Sequence, residues 1–446
     1  MTKAAIVAAF ETLEARGATA ARDGMTAANW RTNLDTNVRW LNHKLRARSY
    51  RFAGYHLILK PKGRAKAPRE ISQPRIQDRV VLKCMANFMR EMAPVASAPL
   101  AQDVIARVIS ALSRREYTHF LKLDIQNFYP SIDHEWLQAV LKHALKDESI
   151  VQLFMDAARA PTTGSRVSSK GHSNAIGVPQ GLAISNGLAE LCLAHLDKEM
   201  ASSGVAYFRF VDDVLILLPS KDTGPAMVDA KRLLGMAKLS PHPVDGSGKS
   251  ATGALSEPFE YLGYRFEGPR LTVRRESISR IEGRIARAFT AYKYAVIRAK
   301  GDAERLAVAQ HRLVWHIDLL ITGCRFEGHA VGWLVYFSQI RHQQLLHHLD
   351  SMISSKAARF GVAENTQFKR FVAAYRLLAS RRPDRSGYIP NFDEWTIDQM
   401  RTALNQVFGV SLTRLANEGE AKSLFYARIR KEVKDLERDV EAVAYR

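Results

Sequence analysis

The chain has 446 residues, 46% apolar and 25% charged, which allows two or three domains and excludes a disordered or fibrous chain. Lys and Arg number 65 against 45 Asp and Glu, a net charge of +20; solubility is the bland explanation, and a polyanionic partner such as nucleic acid is the sharper one. Three scattered cysteines (Cys84, Cys192, Cys324) argue against a disulfide framework or a Cys/His zinc module and read as small core residues.

No stretch approaches the ~20 apolar residues of a membrane span. The short apolar run at the start is broken at once by acids, so it reads as a helix rather than a leader. A cytoplasmic location and no membrane partner are expected. Residues 1–50 read as helical, with apolar and basic residues interleaved. The segment HLILKPKGRAKAPREISQP breaks at Lys60-Pro61-Lys62-Gly63 and resumes at Arg69, which predicts a strand, a basic turn and a second strand. Apolar spacing in RIQDRVVLKCMANFMREM predicts a helix. YTHFLKLDI (117–125) predicts a buried strand ending near an acid, and a helix is expected from about Ile132 to Lys146.

A Gly/Ser-rich loop, PTTGSRVSSKGHSNAIGVPQG, leads into a strong helix at LAISNGLAELCLAHLDKEM. YFRFVDDVLILLP reads as two apolar arms around a pair of acids, the pattern of a hairpin. A helix and loop are expected over 228–256, then a strand-like FEYLGYRFEG. From about 275 onward the pattern is almost wholly helical and basic, interrupted at Arg382-Pro383-Asp384-Arg385-Ser386-Gly387. The histidines His172, His342, His347 and His348 show no metal-ligand spacing.

Carboxylates embedded in apolar strands need a metal, a base or a structural partner, because burying an unpaired charge is costly. Asp124 ends such a strand and Asp212-Asp213 sit between two of them. An isolated Asp-Asp reads as a turn; flanked by FRFV and VLILL it reads as a hairpin tip aimed into a site. Carboxylates that bridge two Mg²⁺ ions are common machinery for in-line phosphoryl transfer.

KPKGRAKAPREISQPRIQDRVV, LDIQNFYPSID, GVPQGLAISNGLAEL, FVDD and FEYLGYRF resemble, in order, five motifs of reverse transcriptases over residues 55–270. The resemblance implies an α+β right-hand polymerase: fingers, an antiparallel-sheet palm, a helical thumb and an α-helical C-terminal extension. It implies domains at 1–115 (N-terminal helices and fingers), 116–270 (palm), 271–350 (thumb) and 351–446 (extension). Asp124 and Asp212 would be the primary metal ligands, with Asp213 as a supporting acid and the Ile125 carbonyl as a further ligand. The metal would be two Mg²⁺ ions, with Mn²⁺ as the alternative.

Tyr129 alone would read as a core aromatic; the motif makes it the gate that excludes a ribose 2′-OH. Gln180 would lie along the nascent base pair, and Gly177 and Gly181 would let backbone approach nucleic acid, or would simply shape a loop. Lys60 and Arg69 would clamp the triphosphate, while Lys62, Arg64 and Lys66 read as a solvated basic turn. Lys249 would protonate the pyrophosphate leaving group. Tyr261, Leu262 and Gly263 would support the primer end. Phe210 replaces the family's usual Tyr, keeping a ring and losing a hydroxyl. Trp333, Tyr336 and Phe337 resemble thumb residues or are ordinary helix-core aromatics.

The function implied is an RNA-directed DNA polymerase, using dNTPs to make DNA on a dedicated non-coding RNA in a bacterial anti-phage system. PQGLAISNGLAEL and the long helical tail resemble abortive-infection enzymes more than group II intron ones. The alternative is an RNA-binding, maturase-like module with polymerisation secondary or lost. Priming from Tyr388, Tyr426 or Tyr445 is a further variant, and a homo-oligomer is compatible with the sequence.

Overall fold

The computed structural model describes residues 1–15, 23–61, 67–97, 99–164, 174–245, 248–268, 270–380, 384 and 386–444. The basic turn with Lys62, Arg64 and Lys66, part of the Gly/Ser-rich loop with His172, most of the Arg382–Arg385 stretch, and Tyr445 lie outside the described residues. The chain divides into two compact units. One comprises Met1–Leu100 and Arg107–Leu255, the other Ala101–Ala106 and Ser256–Arg446. No helix among the described residues is long and apolar enough to cross a membrane.

The first unit opens with helices Lys3–Ala15, Ala27–Thr32 and Leu34–Arg46. Thr26 starts the second by accepting the Asn29 N–H while the Asn29 side chain returns the bond, a reciprocal cap. Trp30 on that helix is fully buried, its ring 4.4 Å from Phe10. Strands β1 (Tyr55–Lys60) and β2 (Arg69–Gln73) pair antiparallel from His56↔Gln73 to Lys60↔Arg69. The helix Ile76–Met92 follows, with its apolar stripe buried.

The second sheet of this unit carries the acids. It runs β5 (Ala206–Phe210), β6 (Asp213–Leu218), β3 (His119–Asp124), β7 (Ala251–Ala254) in spatial order, all antiparallel. A two-residue strand, β4 (Thr162–Thr163), instead pairs parallel with β1. Val214 to Leu218 are all buried, so β6 is covered on both faces, as its unbroken apolar run requires. The helix Ser185–Ser202 packs on β5 and is buried mainly over its first half, from Gly187 to Leu193.

One sequence expectation holds here and one changes. The helix expected from about Ile132 to Lys146 is present as His134–Leu145, capped by Asp133, which accepts the N–H groups of Glu135 and Trp136; a separate short helix, Phe128–Ser131, precedes it. The loop after the helix Gly224–Met236 contains β7, whose Ala-Thr-Gly-Ala sequence has little strand propensity. It is held in place by its ladder to β3.

In the second unit, β8 (Phe259–Tyr261), β9 (Tyr264–Glu267) and β10 (Arg270–Val273) form a meander before the helices Arg275–Ala299 and Ala303–Thr322. The helical expectation for the tail holds with one exception. A hairpin of β11 (Cys324–Phe326) and β12 (His329–Val331) turns at Glu327-Gly328, with arms too short to show alternation. Trp333, Tyr336 and Phe337 are buried in a cluster with Tyr264 and Phe371, as helix-core aromatics. The three cysteines are buried and free.

Candidate active site

The register of the first unit brings the three acids together. Asp124, the last residue of β3, stands directly opposite Asp213, the first of β6. Asp212 occupies the two-residue turn Val211-Asp212 that joins Phe210 to its partner Asp213. The turn is tied to β3 by the Ile125 N–H, which donates to the Asp212 carbonyl at 3.3 Å. Facing residues on paired strands have Cβ atoms about 5 Å apart, and like charges so placed repel. The arrangement therefore carries an electrostatic cost.

The turn is also strained in its backbone. Val211 has φ +56°, a left-handed conformation that a β-branched residue rarely adopts. Such a residue costs roughly 1–3 kcal/mol. Burial of an aliphatic side chain contributes about 1.5–3 kcal/mol. The five buried side chains of β6 can therefore hold the turn in a shape it would not take alone.

Asp212 keeps some exposed surface, yet its carboxyl is held well above the usual carboxylate range. The causes are burial first, then the charges of Asp213 and Asp124; Arg69 pulls the other way. The three carboxylates thus repel one another's charge. The donor set is all oxygen, the chemistry of a hard divalent ion such as Mg²⁺, and such an ion would relieve the repulsion. Among the described residues no group of three or more His, Cys, Asp or Glu is already closed around a metal-sized space. The residues fit the ion by charge and donor type rather than as a preformed cage.

Around the acids the structure adds a residue the sequence reading missed. His242 sits beside Asp124: its backbone N–H donates to the Asp124 carbonyl at 2.8 Å, and its Nε2 lies 3.9 Å from Asp124 Oδ2. Lys249 Nζ is 2.9 Å from the same Nε2. Lys249 is thus linked to the acid site through one imidazole, and the Asp124 N–H bonds the neighbouring Ser250 hydroxyl at 3.2 Å. No sequence spacing marks His242, because the loop after the helix Gly224–Met236 returns to β3 only in three dimensions.

Tyr129 lies on the short helix Phe128–Ser131, five residues past Asp124. Its hydroxyl donates to Asn186 Oδ1 at 2.8 Å, and its carbonyl accepts the Val178 N–H at 2.8 Å. Asn186 is a second residue the sequence reading did not single out. Gln180 is bound through its carbonyl, which accepts the Ser72 N–H of β2 at 2.7 Å. The close approaches made by the two glycines are to protein. A Cβ on Gly177 would stand 2.7 Å from the Pro130 carbonyl oxygen, and one on Gly181 would stand 2.8 Å from Ile71 Cγ2; both have positive φ.

Lys60 and Arg69 face each other as the last pair of the β1–β2 ladder. Arg69 reaches Asp212 electrostatically, while Lys60 is exposed. Tyr261, Leu262 and Gly263 belong to the second unit, where Leu262-Gly263 forms the β8–β9 turn. His348 pairs with Glu282 at 2.9 Å. Tyr388 donates its hydroxyl to the Arg370 carbonyl and accepts the Arg370 N–H at 2.7 Å; Tyr426 packs on Phe326.

An antiparallel sheet that presents one acid at a strand end and two at an adjacent hairpin defines a palm, and the fold is that of a right-hand polymerase. Residues 58–266 match the family described as reverse transcriptase (RNA-dependent DNA polymerase). Among solved structures, the chain is similar to an apo telomerase from Candida tropicalis truncated from its C-terminal domain. That match has 12% identity, a TM-score of 0.37, and covers 56% of this chain and 61% of that one. It is also similar to a telomerase from Candida albicans in complex with a TWJ fragment of telomeric RNA. Here identity is 11%, the TM-score is 0.44, and 94% of this chain and 68% of that one are covered. The chain thus spans less than two thirds of the first of these. No curated protein matches the sequence.

Proposed function

We propose that the chain is an RNA-directed DNA polymerase whose chemistry is carried by Asp124, Asp212 and Asp213. The observation that carries this reading is the facing of Asp124 and Asp213 across β3 and β6, with Asp212 on the strained turn beside them. Asp124, Asp212 and the Ile125 carbonyl are the metal ligands in this reading, with Asp213 in support. When bound, Mg²⁺ there supplies positive charge to the attacking 3′-oxygen and the departing pyrophosphate. Arg69, as a fork, and Lys60, as a point charge, bind the triphosphate. Lys249, held by His242, gives a proton to the leaving pyrophosphate.

Tyr129 blocks a ribose 2′-OH and so selects dNTPs, with Asn186 fixing its ring; Gln180 lies along the nascent pair. The basic helices after Arg275 track the duplex backbone, and the Tyr261–Gly263 turn supports the primer. We assign fingers, palm, thumb and extension to 1–115, 116–270, 271–350 and 351–446. The finer reading is synthesis on a dedicated non-coding RNA in bacterial anti-phage defence. It rests on analogy of the PQGLAISNGLAEL segment and the helical tail with abortive-infection enzymes.

The test is to purify the chain with the nucleic acid it carries, add Mg²⁺ and labelled dNTPs, and sequence bound RNA and product. A DNA complementary to the RNA, made by the native chain and absent with Asp212→Asn, is the expected result. Abundant specific RNA with no product from the native chain overturns the polymerase reading in favour of an RNA-binding module.

A further inference from the structure

Behind the catalytic turn lies a charged cluster that no motif assigns. Arg209, on β5, has a side chain only 6% exposed and meets Glu190, 4% exposed, through Nη2 at 2.7 Å. It also grips Asp197 in a fork, Nε to Oδ1 at 2.7 Å and Nη2 to Oδ2 at 2.5 Å. Tyr207, two residues back and on the same face of β5, donates its hydroxyl to Asp197 Oδ1 at 2.8 Å. Glu190 and Asp197 are seven residues apart on the helix Ser185–Ser202, so two turns of one helix present both acids to one strand.

The remaining guanidinium nitrogen sets this cluster apart from an ordinary buried ion pair. Arg209 Nη1 donates to Glu190 Oε1 at 3.2 Å and to the Val211 carbonyl at 2.8 Å. Val211 is the residue with positive φ that begins the Asp212 turn. Burial lowers the Arg209 pKa, but the hydrogen bonds of Asp197 and the charges of Glu190 and Asp197 outweigh it and hold it above its ordinary value. Arg209 stays charged, and its fifth hydrogen-bonding direction is spent on backbone.

We infer that Arg209 is a positioning residue for the catalytic acids: oriented by Glu190 and Asp197, it clamps the Val211 carbonyl and so holds the Asp212 turn in its strained shape. The inference rests on the polymerase reading of that turn. A planar fork is required, because a lysine ammonium, with three donors on one atom, cannot reproduce the five bonds to two carboxylates and a carbonyl. The same helix begins immediately after the Gly177–Ala183 loop, so the clamp fixes that helix and the acids to each other through one side chain.

The experiment uses the full chain with Arg209→Lys and Tyr207→Phe, alongside native protein and Asp212→Asn. Folding is checked by circular dichroism. Mn²⁺ binding without nucleotide is followed by electron paramagnetic resonance, and dNTP incorporation is measured as kcat and KM across Mg²⁺ concentrations. Loss of a residue that orients metal ligands weakens metal binding or activity about 10- to 100-fold.

Arg209→Lys is expected to weaken Mn²⁺ binding and lower kcat within that range, with KM for dNTP little changed and activity partly restored by high Mg²⁺. Tyr207→Phe keeps the core filled and should shift both in the same direction by about two- to fivefold. A purely structural cluster would lower melting temperature without moving the Mn²⁺ half-saturation. If folded Arg209→Lys matches native protein in both readouts, the inference is overturned. If Arg209→Lys does not fold, an unshifted Tyr207→Phe overturns it. Native protein with neither Asp212-dependent Mn²⁺ binding nor synthesis overturns the polymerase reading itself; native protein with both, matched by the variants, overturns only the clamp.

Discussion

Two tight hairpins, one in each compact unit, begin from the same backbone problem and solve it for different ends. Val211-Asp212 joins β5 to β6, and Leu262-Gly263 joins β8 to β9, each a two-residue turn. In each, a bulky residue takes positive φ, +56° at Val211 and +47° at Leu262. The second turn is the more conventional: glycine follows at φ +78°, and the Leu262 carbonyl accepts the buried Tyr336 hydroxyl at 3.2 Å. The first places a carboxylate where the glycine would be, beside two more acids. One hairpin is stabilised by its surroundings; the other is held against repulsion by them. Strain that brings like charges together points to chemistry, whereas strain that ends in satisfied bonds points to packing.

The largest expected effect breaks the comparison at its centre. Asp212→Asn should cut incorporation on the order of 10³-fold while the metal-free melting temperature holds or rises, since a repelled charge is removed. A melting temperature that collapses with activity would make Asp212 structural, like its counterpart turn. Next, Tyr129→Ala should relax the preference for dNTP over rNTP by about tenfold or more. Asn186→Ala should do so by about two- to tenfold, the worth of one hydrogen bond. Competition assays with matched dNTP and rNTP measure both, and unchanged selectivity in Tyr129→Ala removes it from the gate.

On the packing side, Tyr336→Phe removes the hydroxyl that satisfies Leu262 and should cost about 0.5–1.5 kcal/mol of stability in denaturant melts. No change would mean that the second turn does not depend on that bond.

The last contrast is between the acids of the two units. Asp318, in the second unit, is pushed up to about 6 by burial, although it accepts the Lys369 N–H at 2.8 Å. Its folded pKa lies above the unfolded value of about 3.9. The folded state therefore holds the extra proton, and the stability this contributes is full below about pH 3.9 and lost as pH rises through about 6. Asp318→Asn should flatten that part of the stability–pH curve. An unaltered slope would place the titration elsewhere.

The sequence alone determined where the acids lie along the chain and what kind of element carries them. A carboxylate embedded in an apolar strand is a local anomaly, so Asp124 and the Asp212-Asp213 hairpin were legible from a few neighbours each. Gly177 and Gly181 were legible as glycines, but not the Pro130 carbonyl and Ile71 side chain that exclude a Cβ there. Strand β7 and the β11–β12 hairpin escaped because three- and four-residue arms are too short for periodicity to register. His242, Asn186 and the pairing of Arg209 with Glu190 and Asp197 had no signal at all. Propensity and pattern act over a turn of helix or a few strand residues. Partners such as Asp124 and His242 are 118 positions apart in sequence, and only the folded register of β3 against its neighbours makes them contacts.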